Sequence, residues 1–207
     1  MTQTETPQIK VWDPLVRIGH LVLIVGFVIA YLTEGEPEWL HTFAGYAIAV
    51  TVAIRILWGV VGPRRARFTD FVTGPFRALD YLRALIAGRS PRYVGHSPAG
   101  GVMVVALLVS LAVTAFAGMA TLASEDGRGP LAGIIQQLPQ EAMKVERAGH
   151  EEEGEEGEEN PWKEVHGAFA NLTLLLVLFH LGGVALASYR HHENLPRSMV
   201  TGYKRAE

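Results

Sequence analysis

The stretch KEVHGAFANLTLLLVLFHLGGVALASYR, residues 163–190, decides how the rest of the chain is read. It is apolar from Val165 onward and long enough to cross a bilayer, yet it carries His166 and His180. An α-helix rises about 1.5 Å per residue, so two rings fourteen residues apart are separated by about 21 Å along the axis and lie within about 40° of one face. One helix therefore offers two imidazoles on one side, near opposite leaflets.

Three other runs share its character, Leu15 to Leu32, Leu40 to Val61 and Ala99 to Leu122, with the fourth at Val165 to Tyr189. Each is near the ~20 residues that span a hydrocarbon core. In a chain of 207 residues with 49% hydrophobic content this leaves little but membrane. The expected fold is all-α, an integral membrane four-helix bundle with spans at about 15–32, 40–61, 99–122 and 165–189, forming one domain over 1–207. The first span lacks a small-residue cleavage site and is followed at once by the second, so it is read as retained rather than as a signal peptide. The chain has no cysteine, which excludes disulfides, thiolate metal sites, iron–sulfur clusters and thioether-linked haem. Nothing in the sequence points to nucleic acid.

Charge segregates by connection. The first turn, TEGEPEWL, carries Glu34, Glu36 and Glu38 and no basic residue. The second connection, 62–96, holds Arg64, Arg65, Arg67, Arg77, Arg83, Arg89 and Arg92. The third, about 123–164, sets four basic residues against twelve acidic ones, and the tail is basic again, with Arg190, Arg197, Lys204 and Arg205. Because positive residues near span ends stay inside, both termini are expected in the cytoplasm and both acidic connections in the periplasm. The amino-terminal segment, with Pro7 and Pro14, is expected to be mostly extended. Within the Arg-rich connection, Phe76, Leu79, Leu82 and Leu85 or Ile86 alternate with Arg77, Asp80 and Arg83, which suits a short helix on the inner membrane surface or a solvated linker. In the third connection an amphipathic piece is expected around Leu131 to Met143, followed by the acidic tract HEEEGEEGEEN from His150 to Asn160. Its ordinary reading is a solvated spacer; its functional readings are docking of a basic periplasmic partner and, less specifically, divalent-metal binding.

Ionisable side chains within spans are costly and usually mark a site. His20 lies about one and a half turns into the first helix, His41 at the outer end of the second, His166 at the outer end of the fourth and His180 in its inner half. With alternating spans, His41 and His166 fall at one depth and His20 and His180 at another, nearer the cytoplasm. Two such pairs are what axial ligation of two haem irons requires. Singly, each could be an inter-helix hydrogen-bonding residue; jointly they point to a cofactor. Gly45 follows His41 by a turn, and Gly19, Gly167, Gly182 and Gly183 adjoin the other histidines, leaving room for a flat macrocycle or for close helix packing. Arg55, fourteen residues after His41, either pairs with a propionate of an inner haem or snorkels to the cytoplasmic surface. His96 is expected as a loop or cap residue at the membrane surface, with proton exchange with a quinone as its alternative; His191 and His192 are expected at the surface.

The run KEVHGAFANL, then His180, then HENLPRSMVTG resembles the last helix and tail of the bacterial cytochrome b561 family. VRIGHL, RILWG, ARF and GHSPAGG resemble its relatives, the b-type cytochrome subunits of nickel–iron hydrogenases. The resemblance covers nearly everything but the third connection, and Ser97 stands where relatives often carry asparagine. It implies two haem b groups, the inner one on His20 and His180 and the outer one on His41 and His166. It also implies electron transfer between the quinone pool and a redox partner, such as a periplasmic c-type cytochrome, across a bacterial inner membrane. Whether the chain is an electron-transfer protein or an oxidoreductase subunit, and whether it self-associates, stays open. A superoxide:quinone oxidoreductase is the alternative, disfavoured by an outer surface rich in glutamate. A divalent metal-ion carrier would need intramembrane carboxylates that these spans lack.

Overall fold

The computed structural model describes residues 7–135 and 160–206. Most of the amphipathic piece expected to Met143, and the acidic tract from His150 up to Asn160, lie outside the described residues. In chain order the elements are strand β1 (Gln8–Lys10), α1 (Pro14–Thr33), α2 (Glu38–Val61), a 3-10 turn (Arg64–Ala66), α3 (Phe68–Phe71), α4 (Pro75–Ile86), α5 (Pro98–Asp126), α6 (Pro161–Arg190), α7 (Leu195–Thr201) and β2 (Tyr203–Arg205). The all-α membrane class read from the sequence is the one observed, with α1, α2, α5 and α6 each long and apolar enough to cross a bilayer. Ile18, Leu21, Leu32, Phe43, Leu57, Leu178 and Phe179 are exposed on these helices. Apolar surface on this scale is stable only against lipid or another apolar partner.

The described residues form two compact units. The first comprises 7–109 with 174–206. There α1 opens with Asp13, whose Oδ1 accepts the Val16 N–H at 3.1 Å, and with Pro14 in the first turn. It closes where Glu34 and Gly35 take positive φ of 46° and 96°, turning the chain back into α2. The two helices pack antiparallel, and the α2 residues Ala44, Ile48, Val52, Arg55 and Gly59, spaced as one helical face, are buried. Gly26 permits the approach, since a Cβ there would stand 3.1 Å from Ile48 Cγ1.

The extended amino-terminal segment has a partner that the sequence did not reveal. β1 pairs antiparallel with β2, Gln8 opposite Arg205 and Lys10 opposite Tyr203. Val11 and Trp12 both donate to the Gly202 carbonyl, Trp12 Nε1 donates to Ser198 Oγ, and the Arg17 guanidinium donates to the carbonyls of Met199 and Val200. The HENLPRSMVTG tail thus folds as Asn194-capped α7, ends at Gly202 with φ 86°, and straps the start of α1. Behind the strap, Glu193 is buried and takes Arg92 on one oxygen and Lys204, at 3.4 Å, on the other. Burial opposes the Glu193 charge, but the Arg92 hydrogen bond and the Lys204 ammonium outweigh it and hold the carboxyl below its ordinary range. The pairing puts both strands on one side, as an even number of spans requires.

α4 carries two apolar faces where the sequence reading saw one. Ala78, Tyr81 and Leu85 are buried against the chain, while Phe76, Leu79, Leu82 and Ile86 are exposed beside Arg77 and Arg83.

The second unit comprises 110–135 with 160–173. Ala117, Ala120 and Ala123 of α5 are fully enclosed, and small side chains let the helices approach. Ser110 Oγ meets Thr173 Oγ1 at 2.7 Å. Asn160 is buried, accepts the Trp162 N–H through Oδ1, and donates to Ser124 Oγ at 3.0 Å. This cap, with Pro161 next, is why α6 starts four residues before the apolar run does: capping chemistry rather than hydropathy sets the boundary.

Candidate functional site

His20 on α1 and His180 on α6 belong to the first unit and face each other there, half-buried, with ring centroids 6.3 Å apart and planes at 64°. That separation lies within the range of edge-to-face ring pairs and also leaves room for an interposed metal. Metal–imidazole bonds of about 2.0 Å, with about 1.1 Å from each nitrogen to its ring centre, would put the centroids of two imidazoles held on opposite sides of one metal about 6.2 Å apart. Leucine, isoleucine and valine neighbours on α1 and α6 keep the surroundings apolar.

His41 and His166 are described each within its own unit. His41 Nδ1 lies 3.0 Å from the Ala30 carbonyl, with Thr33 Oγ1 at 3.3 Å. His166 Nδ1 lies 2.9 Å from the Thr114 carbonyl. A carbonyl only accepts, so Nδ1 carries the proton in both rings and the ring lone pair sits on Nε2. This backbone-anchored tautomer is the arrangement that orients metal-ligating histidines and raises their basicity. His166 also leans on Gly118, where a Cβ would come within 2.9 Å of its ring. That glycine was missed because it lies on another helix, forty-eight residues away in sequence.

The glycines next to the histidines divide. A Cβ on Gly45, Gly167, Gly182 or Gly183 would meet nothing within 4 Å, whereas one on Gly19 would touch Thr51 at 3.4 Å. The first four leave open helix faces of the kind a planar group needs; Gly19 serves helix packing.

Arg55 does not snorkel. It is only 8% exposed, its Cζ stands 5.2 Å over the Phe68 ring, and its Nη1 is buried without a hydrogen-bond partner. His96 is a loop residue, as expected, but its ring is enclosed, and it is not the cap. Its ring is held between Phe71, at 4.2 Å, and Trp12, at 4.7 Å. Burial, with the Arg55 and Lys204 charges, pushes its pKa down to about 3, so the ring is neutral at physiological pH. The cap is Ser97, whose Oγ accepts the Gly100 N–H at 3.2 Å. Asparagine serves that role equally well, which accounts for the departure at this position. His192 is exposed as expected, but His191 is engaged, its Nε2 lying 3.3 Å from Tyr81 Oη and 3.4 Å from Ser90 Oγ. Among the described residues no group of three or more histidines and carboxylates is assembled in a metal-binding cluster.

Comparison with curated proteins and with solved structures finds no match for this chain. A family model described as prokaryotic cytochrome b561 matches residues 11–202, almost the whole length. The chain therefore belongs to the prokaryotic cytochrome b561 family, as a bacterial membrane b-type cytochrome that binds haem b and takes part in electron transfer.

Proposed function

We propose that the chain is a single di-haem domain of the bacterial inner membrane that passes electrons between the quinone pool and a redox partner at the periplasmic surface. His20 and His180 would hold the inner haem, and His41 and His166 the outer one. The 6.3 Å opposition of His20 and His180 carries the reading. When bound, the haems supply one-electron redox chemistry. The protein's own residues supply ligation, orientation and field. The Ala30 and Thr114 carbonyls hold His41 and His166 in the tautomer whose Nε2 bonds a metal. Apolar neighbours exclude water, and Arg55 offers a buried positive charge to a propionate. The Arg-rich second connection supports a cytoplasmic location for both termini. The exposed face of α4, with Phe76 and Ile86 beside Arg77 and Arg83, suits the inner lipid surface. The glutamates of the third connection would raise the encounter rate of a basic partner such as a c-type cytochrome.

The test is the haem content of the purified protein with its reduced-minus-oxidised spectrum. We expect two b-type haems per chain in the wild type. His20→Ala and His180→Ala should each leave one, and both should lose the same redox component. A wild type without b-type bands, or two single variants that lose different components, overturns the assignment.

A further inference from the structure

A cavity of about 340 Å³ opens where the start of α1 and the end of α2 come together in the first unit, at one end of both helices. Lys10, Asp13, Arg55, Arg64, Arg65 and His96 line it, with Val11, Trp12 and Val16 forming an apolar wall. Three of its side chains carry a buried nitrogen with no hydrogen-bond partner among the described residues: Arg55 Nη1, Arg65 Nη1 and His96 Nδ1. The charges do not balance. Arg64 is paired with Asp70 at 3.2 Å, which leaves the single carboxylate of Asp13, within electrostatic reach of Arg55 and also the cap of α1, against the three positive charges of Lys10, Arg55 and Arg65. A buried guanidinium nitrogen with no acceptor is costly, and the guanidinium's fork of donors matches the two oxygens of a carboxylate or a phosphate. A neutral ligand would meet the stray donors but leave the charge uncompensated. The apolar wall and the position at the helix ends further require that the anion be carried by a molecule with an apolar body.

We propose that this cavity is an oxyanion site that takes the anionic head of an amphiphile, bound through Arg55 and Arg65 with His96 as a neutral third donor. Two sources share that chemistry, a propionate of a bound haem and the phosphodiester of a phospholipid. The first rests on the haem assignment above; the second is independent of it.

The experiment uses the full chain, purified with its haem in mild detergent, as wild type, Arg55→Gln, Arg65→Gln and the surface control Arg197→Gln. Arg197 is exposed on α7, so the control removes the same charge from outside the cavity. Two quantities are read: retained phospholipid per chain, by native mass spectrometry with phosphorus analysis, and the reduction potentials, by optical titration. If the site holds phospholipid, R55Q and R65Q lose it while the potentials stay in place. If it holds a propionate, lipid retention is unchanged and the potential of one haem falls, because a positive charge that favoured the reduced form is gone. Either change, present in the cavity variants and absent from R197Q, supports the site. Both variants matching R197Q in both readouts overturns it. Arg65, in the short turn after α2, decides the matter if R55Q fails to accumulate. A wild type that carries no haem defeats the haem reading, yet the phospholipid measurement still reports on the site.

Discussion

Gly118→Ala tests the proposed outer haem site with the smallest change that reaches it. A methyl built on Gly118 would stand 2.9 Å from both Cε1 and Nδ1 of His166. That is about half an ångström inside ordinary van der Waals contact. The ring cannot simply swing away, because Nδ1 is tied to the Thr114 carbonyl at 2.9 Å, and a shift of that size stretches the bond toward its geometric limit. Overpacking of this kind costs about 1–3 kcal/mol, or about 5- to 150-fold in an equilibrium constant. If His166 ligates the outer haem, the strain falls on one of the two haems only. Haem per chain through repeated detergent washes, with an optical redox titration, reads this directly. We expect one redox component to be lost or displaced and the other to hold its wild-type potential. Gly133→Ala is the control, since its added methyl meets nothing within 4 Å. Two unchanged components in G118A, or equal damage from G133A, refutes the placement of His166 at a haem.

Three further outcomes follow from the same geometry. Gly183→Leu sets its Cβ in open space on the helix face and improves helix propensity, so circular dichroism should be unchanged while haem content drops. Glu193→Gln leaves Arg92 and Lys204 without their buried anion, a change worth on the order of 3–5 kcal/mol, and should speed amide exchange across β1 and β2. Because the folded Glu193 carboxyl titrates below its ordinary value of 4.5, its contribution is complete above that pH and is lost as acid takes it through the lower folded value; the wild-type strap should loosen there and E193Q should show no such step. His96 titrates near 6.5 when unfolded and about 3 when folded, so the unfolded chain binds the extra proton in between and stability falls as pH drops across that window. His96→Phe, which keeps a ring between Phe71 and Trp12, should flatten that part of the thermal-stability profile.

What the sequence made legible was whatever repeats along a helix or collects by charge. The four apolar runs and the histidines at positions 20, 41, 166 and 180 could be read from spacing alone, because helical rise turns sequence separation into depth. What stayed hidden depends on contacts between distant segments. β1 and β2 are three residues each and almost two hundred residues apart, with no alternation long enough to announce a sheet. His96 looked like a surface loop residue because Trp12 and Phe71, which enclose it, come from two other segments. The fate of Arg55 was undecidable from position, since a guanidinium six residues from a helix end can reach water; the Phe68 ring lying beside it is supplied by the start of α3. Tyr81 and Ala78 were passed over on α4 because the more apolar residues beside them face outward.

The strap of α7 and β2 over the start of α1 bears on the order in which the chain can be finished. Carbonyls of Met199, Val200 and Gly202 receive the donors of Arg17, Val11 and Trp12, so the doorway of the first helix is completed by residues synthesised after the last one. Until then those donors, and the half-buried Arg92 that Glu193 neutralises, have only water and lipid headgroups to satisfy them. Closure of the strap therefore waits until α6 and the tail that follows it have been made. A chain cut short beyond Arg190 would keep every span and His20, His41, His166 and His180, and would still leave its first helix unfastened.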